Sequence, residues 1–134
     1  MAFLRCGGGK ATLKATTLWT NSSPSSSFSA QAVTLSNSMY DYDYIRVYFR
    51  YSTSIAEERL VMYSPYSILG EMVALGARKY DASSVNDMRY RAMSGTSATS
   101  ISFTNSVQHT SSSQTTSGSY IIPTKIEGSK LEII

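Results

Sequence analysis

Residues Tyr44–Ser52 read Tyr-Ile-Arg-Val-Tyr-Phe-Arg-Tyr-Ser, and this alternation constrains the chain more than any other feature. Ile45, Val47, Phe49 and Tyr51 share one parity, while Tyr44, Arg46, Tyr48 and Arg50 share the other. A two-residue period sorts the first set onto an apolar face and the second onto a mixed aromatic and basic face. A helix would scatter both sets around its circumference. The segment therefore predicts a strand with one face in a core and the other toward solvent or a partner.

The same period recurs along the chain. Leu13, Ala15, Thr17 and Trp19 alternate with Thr12, Lys14, Thr16 and Leu18, which predicts a strand over Ala11–Thr20. Asn21–Ser27, with Pro24 among five serines, is a loop of residues that bond their own backbone. Phe28–Ser36 reads as a second strand and Asn37–Asp43 as a turn region. Arg59–Tyr63 sets Leu60 and Met62 against Val61 and Tyr63, before Pro65 interrupts. Ser67–Ala77 has mixed periodicity, and Gly70 and Gly76 bound a piece too short for a sound helix, so it is assigned to a strand. Lys79–Met93 reads as a pair of short strands in which Tyr90 and Ala92 oppose Arg89 and Arg91. Thr99–Asn105 alternates through Ile101 and Phe103. Ser106–Ser119 is almost wholly polar and reads as a long exposed hairpin loop, and a last strand begins at Tyr120-Ile121-Ile122 and is broken by Pro123. The closing run Lys125–Ile134 ends on Leu131, Ile133 and Ile134, an apolar end suited to a sheet or an interface.

Short strands separated by turn signals every ~8–12 residues predict an all-β domain, an antiparallel β-sandwich or jelly roll. The length of 134 residues fits one such domain over residues 11–134, preceded by a flexible arm over residues 1–10. In that arm Ala2-Phe3-Leu4 forms an apolar plug and Gly7-Gly8-Gly9 a hinge, a combination suited either to docking on a neighbour or to a frayed end. The 25 Ser and 13 Thr replace much of the usual charge, which is only 16% of the chain. Thr and Tyr suit half-exposed pleated surfaces and Ser suits turns.

The charge pattern and the cysteine bound the partners. A net charge of +3 is spread along the chain rather than gathered on one face, so no nucleic-acid partner is expected. Arg46 with Arg50, and Arg89 with Arg91, come nearest to a cluster. No run approaches the ~20 apolar residues of a membrane helix, and no membrane partner is expected. The one cysteine, Cys6, cannot close an internal disulfide. It is read as an incidental thiol, with an intermolecular disulfide or lipid attachment as alternatives. Met1–Cys6 lacks the basic start and apolar core of a secretion signal, so the expected site of folding is a reducing cytoplasm.

No catalytic constellation is apparent. The single histidine, His109, falls in the polar Ser106–Ser119 stretch, a poor place to fix an imidazole for a nucleophilic relay. One His and one Cys cannot assemble a zinc site, and no metal or other cofactor is expected. Gly7-Gly8-Gly9-Lys10 lacks the spacing of a phosphate loop and precedes a strand. Asp41 and Asp43 would share a face in an extended chain, as a glycosidase pair or calcium ligands require, but they read more simply as a solvated strand entry. The strongest candidate for binding is the ladder Tyr40, Tyr42, Tyr44, Arg46, Tyr48 and Arg50. It offers flat rings with polar tips beside fixed donors, which suits a protein interface or a stacked sugar, or merely covers a sheet.

Four segments carry a family resemblance. Leu18-Trp19-Thr20-Asn21-Ser22-Ser23-Pro24, Phe28–Leu35 and Tyr42-Asp43-Tyr44-Ile45-Arg46-Val47 resemble the opening of a set of small phage and prophage proteins. Those proteins are found near tail and host-recognition genes in viruses of Gram-positive gut bacteria. Ile122-Pro123-Thr124-Lys125-Ile126-Glu127-Gly128 resembles their closing segment, with Glu127 where they usually carry Tyr. The middle, Ser52–Ser119, takes no part in the resemblance. The resemblance implies a virion structural protein, in the tail, a fibre or attached to the capsid, and transfers no catalytic residue. The expected partners are copies of the chain and other virion proteins, and the expected location is the virion after assembly in the host cytoplasm. The alternative is a module that binds a host-surface glycan or receptor.

Overall fold

The computed structural model describes residues 3–6, 9–79, 88–110 and 112–133. Among them the chain is an all-β sandwich of two antiparallel sheets. The first sheet has the order β1-β2-β11-β4-β5, built from β1 (Phe3–Cys6), β2 (Gly9–Thr20), β4 (Tyr44–Ser52), β5 (Glu58–Tyr63) and β11 (Tyr120–Ile133). The second contains β3 (Gln31–Thr34), β6 (Val73–Lys79), β7 (Met88–Ser97), β8 (Ser100–Phe103), β9 (Ser106–His109) and β10 (Gln114–Ser117). Along β7 one side is taken by β6 and the other by β9 and then β8. β10 and β3 complete the sheet outside β9 and β8.

The alternation in β4 is realised as expected: Ile45, Val47 and Phe49 are buried while Tyr44 is exposed. Met93, Ile101, Phe103, Ile122 and Ile126 meet them from the other strands. Each side chain of this size stabilises the fold by about 1.5–3 kcal/mol on leaving water. Trp19, Phe28 and Phe103 form an aromatic triad at one end of this core, with Phe28 and Phe103 edge to face at 5.6 Å between centroids.

Three local departures from simple alternation matter. In β2, Thr17 pairs with Glu127 and Trp19 with Ile126, so Leu18 is an extra residue in a β-bulge. The bulge lets Leu18 enter the core although Trp19, its neighbour, also packs against it. β11 is not broken at Pro123: it continues through, with a second irregularity between Pro123 and Lys125. Proline is tolerated there because the β2 ladder has already ended, and Asn21 Nδ2 donates to the Pro123 carbonyl at 2.8 Å. Ser67–Ala77 is not one strand. Ser64-Pro65 opens a single helical turn, α1 (Pro65–Ile68), whose Ile68 is fully buried, and β6 starts only at Val73. Gly70, at φ +73°, makes the turn between them.

The polar stretch Ser106–Ser119 is a hairpin of two paired strands rather than a loop. Backbone bonds, and Ser106 Oγ donating to the Ser117 carbonyl, hold it, with Val107 the one apolar side chain among its paired residues. Phe3–Cys6, assigned to an arm from the sequence, pairs antiparallel with Gly9–Thr12 as the outer strand of the first sheet. The plug residue Ala2, the hinge residues Gly7 and Gly8, the middle of the expected strand pair at 80–87, Ser111 and Ile134 lie outside the described residues.

Candidate functional site

The Tyr and Arg ladder is divided by the fold. Tyr40 belongs to a 3₁₀ turn (Met39–Asp41), where its N–H donates to Ser38 Oγ at 3.2 Å, and its ring lies 5.0 Å from that of Tyr66. Tyr42 turns to the inner side. Its ring covers Gly128, which pairs with the buried Ile45, so closely that a Cβ at Gly128 would lie 2.4 Å from the Tyr42 Cγ. Arg50 is occupied structurally: Nε donates to the carbonyls of Ser52 and Ile55, each at 3.1 Å, and Nη2 to that of Thr53. It thereby holds the turn between β4 and β5. The single ladder expected over Tyr40–Arg50 is thus corrected to Tyr44, Arg46 and Tyr48, because the capped 3₁₀ turn breaks the extended run before it reaches β4.

These three share the outer face of the first sheet with their cross-strand partners. Arg46 lies opposite Met62 and Glu127, Tyr48 opposite Leu60 and Lys125, and Tyr44 opposite Ser129. Lys125 Nζ sits 4.4 Å from the centre of the Tyr48 ring and 3.9 Å from Glu127. Burial raises the pKa of the Tyr48 phenol above its ordinary value, and the hydrogen bond to Glu127 adds to this while Arg46 opposes it. The face continues along β11 to Leu131, opposite Leu13 of β2, and to Ile133. Leu60 is 50% exposed, Met62 46%, Leu131 44% and Ile133 71%, a large apolar content for a sheet face.

A second set of basic residues lies on the inner faces. Arg91 of β7, which with Arg89 comes near to a basic cluster in the sequence, is only 1% exposed. Its guanidinium donates to the carbonyls of Phe28, Thr104 and Tyr120 and lies 5.5 Å from the Phe28 ring centre. Burial lowers its pKa to about 10. Two residues earlier on the same face, Arg89 lies 3.6 Å over the Tyr120 ring and donates to Tyr51 Oη at 3.3 Å. Arg78, the cross-strand partner of Arg89, lies 4.2 Å over the other available ring, Tyr51.

The sequence reading missed Arg78, Arg89, Tyr51 and Tyr120 as a group. The available signal was parity: Arg89 and Arg91 are in phase with the core residue Met93, as Tyr51 is with Phe49.

The column ends at a cleft of about 350 Å³ lined by Phe49, Tyr51, Arg59, Leu60, Arg78 and Ile121. A separate open groove of about 540 Å³ runs past Trp19, Asn21, Phe28, Gln31 and Thr34. Asp43 Oδ2 accepts the Leu131 N–H at 2.7 Å, and His109 is an exposed strand residue. Among the described residues no three His, Cys, Asp or Glu side chains come together to hold a metal ion, and no helix is long and apolar enough to cross a membrane. No family model matches the chain, and no curated protein matches it.

Proposed function

We propose that the chain is a non-catalytic virion structural protein of a phage or prophage, assembling through the outer face of its first sheet. The observation that carries this reading is the run Leu60, Met62, Tyr44, Leu131 and Ile133 on one face, interleaved with Arg46, Lys125 and Glu127. Both signs of charge among exposed apolar groups make the face self-complementary, as a two-fold contact between identical copies requires. A second copy of the chain is therefore the occupant. The resemblance of Leu18–Pro24 and Tyr42–Val47 to small phage proteins supports the virion setting.

The test is mass by light scattering coupled to size exclusion, on the wild type and on Met62→Gln/Leu131→Gln. The expected result is a defined homo-oligomer that dissociates in the double variant while its circular dichroism is unchanged. A wild-type monomer at roughly 100 μM would overturn the reading.

A host-surface glycan or receptor module is the second reading, favoured by the groove past Trp19 and Gln31, which sets an aromatic ring beside amides and hydroxyls. Saturable binding of neutral oligosaccharides, lost in Gln31→Ala, would support it. A panel with no binders would remove it.

A further inference from the structure

β5 and β6 are edge strands of different sheets that come together on the same flank of the sandwich. They are tied at one point, where Tyr63 Oη donates to the Ala74 carbonyl at 2.8 Å. Further along the same edges, at Arg59 and Leu60 on one and Ala77 and Arg78 on the other, they leave the cleft of about 350 Å³. Its volume is at the small end of the range for ligand pockets, room for a single sugar ring or a molecule of similar size.

The composition of the cleft is specific. Phe49, Leu60 and Ile121 supply an apolar surface, and Arg59 and Arg78 supply guanidinium groups. The Tyr51 ring, with its centre 4.2 Å from the Arg78 guanidinium carbon, positions this group through a cation–π contact that leaves its positive charge in place. Among the described residues no carboxylate forms an ion pair with Arg78. Arg59 is paired with Glu57 at 3.2 Å, but both side chains are more than 60% exposed, so the pair holds Arg59 only weakly. Behind Tyr51, Arg89 adds a third positive charge whose position is set by the Tyr120 ring. A cleft with two guanidinium groups and an apolar wall is complementary to an anionic group on a compact body, because the guanidinium fork matches carboxylate and phosphate oxygens.

We propose that this cleft binds a small ligand bearing a carboxylate or phosphate, with Arg78 and Arg59 on the anionic group and Phe49 and Leu60 beneath its body. Leu60 lies at the boundary of the cleft and the assembly face, but the groups that would hold the anion are separate from that face, because Arg78, Tyr51 and Arg59 occupy inward strand positions while Tyr44, Met62 and Leu131 point outward. Failure of self-assembly therefore leaves it standing, and the reverse also holds.

The experiment is a titration of the full chain, followed by backbone and arginine Nε–H nuclear magnetic resonance signals, with four probes. These are D-glucuronate for a carboxylated sugar, glycerol 3-phosphate for a phosphorylated polyol, inorganic phosphate, and neutral glucose. The expected result is saturable shifts confined to β5, β6 and Tyr51 with at least one of glucuronate and glycerol 3-phosphate. Which of the two binds more tightly identifies the anion, and inorganic phosphate alone should bind more weakly for want of a body. Arg78→Gln should weaken binding by about tenfold or more and Arg59→Gln by less, while Lys14→Gln, on β2, changes nothing. If Arg78→Gln does not fold, Arg59→Gln together with loss of binding at about 0.5 M salt carries the test. Absence of saturable shifts up to roughly 20 mM probe, equal binding of glucose, or an unchanged affinity in both arginine variants would overturn the proposal.

Discussion

Arg91 Nη2 donates to the carbonyl oxygen of Tyr120 at 3.0 Å, and the residue that follows, Ile121, has φ +49°. A β-branched residue rarely adopts such an angle, and its own side chain is buried here. Arg91 also binds the carbonyls of Phe28 and Thr104, so one guanidinium joins the Asn21–Ala30 loop, the end of β8 and the start of β11. Removing it leaves three carbonyls without this donor, partly offset by relief of a buried charge. Arg91→Met is expected to cost about 2–4 kcal/mol in urea denaturation. Arg91→Lys should recover little, because one ammonium cannot span the three acceptors. A wild-type midpoint in Arg91→Met would show that the contacts are incidental.

The Tyr42 ring occupies the space of any side chain at position 128. Gly128→Ala should therefore destabilise the fold by about 1–3 kcal/mol through overpacking. In Tyr42→Ala the same substitution should cost much less. The coupling in this double-mutant cycle is the measurement, and additivity would separate the two residues.

Arg50, part of the surface ladder by sequence, holds the turn after β4 through three carbonyl contacts. Arg50→Ala is expected to lower stability by roughly 1–2 kcal/mol and leave oligomeric mass unchanged. Arg46→Ala should do the reverse, with little effect on stability and weakened self-association. Interchanged outcomes would reverse the assignments.

The raised pKa of Tyr48 has a definite consequence for alkaline stability. The folded chain holds this proton more tightly than the unfolded chain does. The contribution is therefore complete below the ordinary value of 10.0 and is lost as pH climbs through the raised one. Tyr48→Phe lacks this titration. Between about pH 9 and pH 11 the wild type should lose more stability than Tyr48→Phe, read as the difference in urea midpoints. Parallel pH profiles would contradict the assignment.

Local order was legible wherever it depended on neighbours in sequence. The parity of Ile45, Val47 and Phe49 determined the strand and its inner face, since a two-residue period has one geometric meaning. Ile101 with Phe103 behaved likewise, and Leu60 with Met62 share one face of their strand, which is the outer one. Tertiary structure decided what depended on remote partners. The bulge at Leu18 exists because Thr17 and Trp19 pair across to β11, more than a hundred residues away in the chain. Pro123 stays within a strand because β2 has already ended beside it. Arg91 lies inside because the carbonyls of three separate segments converge on it, and Arg59 meets Arg78 because two sheet edges meet. Alternation records which side of a strand a residue occupies. Only packing of one sheet on the other determines what stands opposite, and whether a charged side chain there finds acceptors.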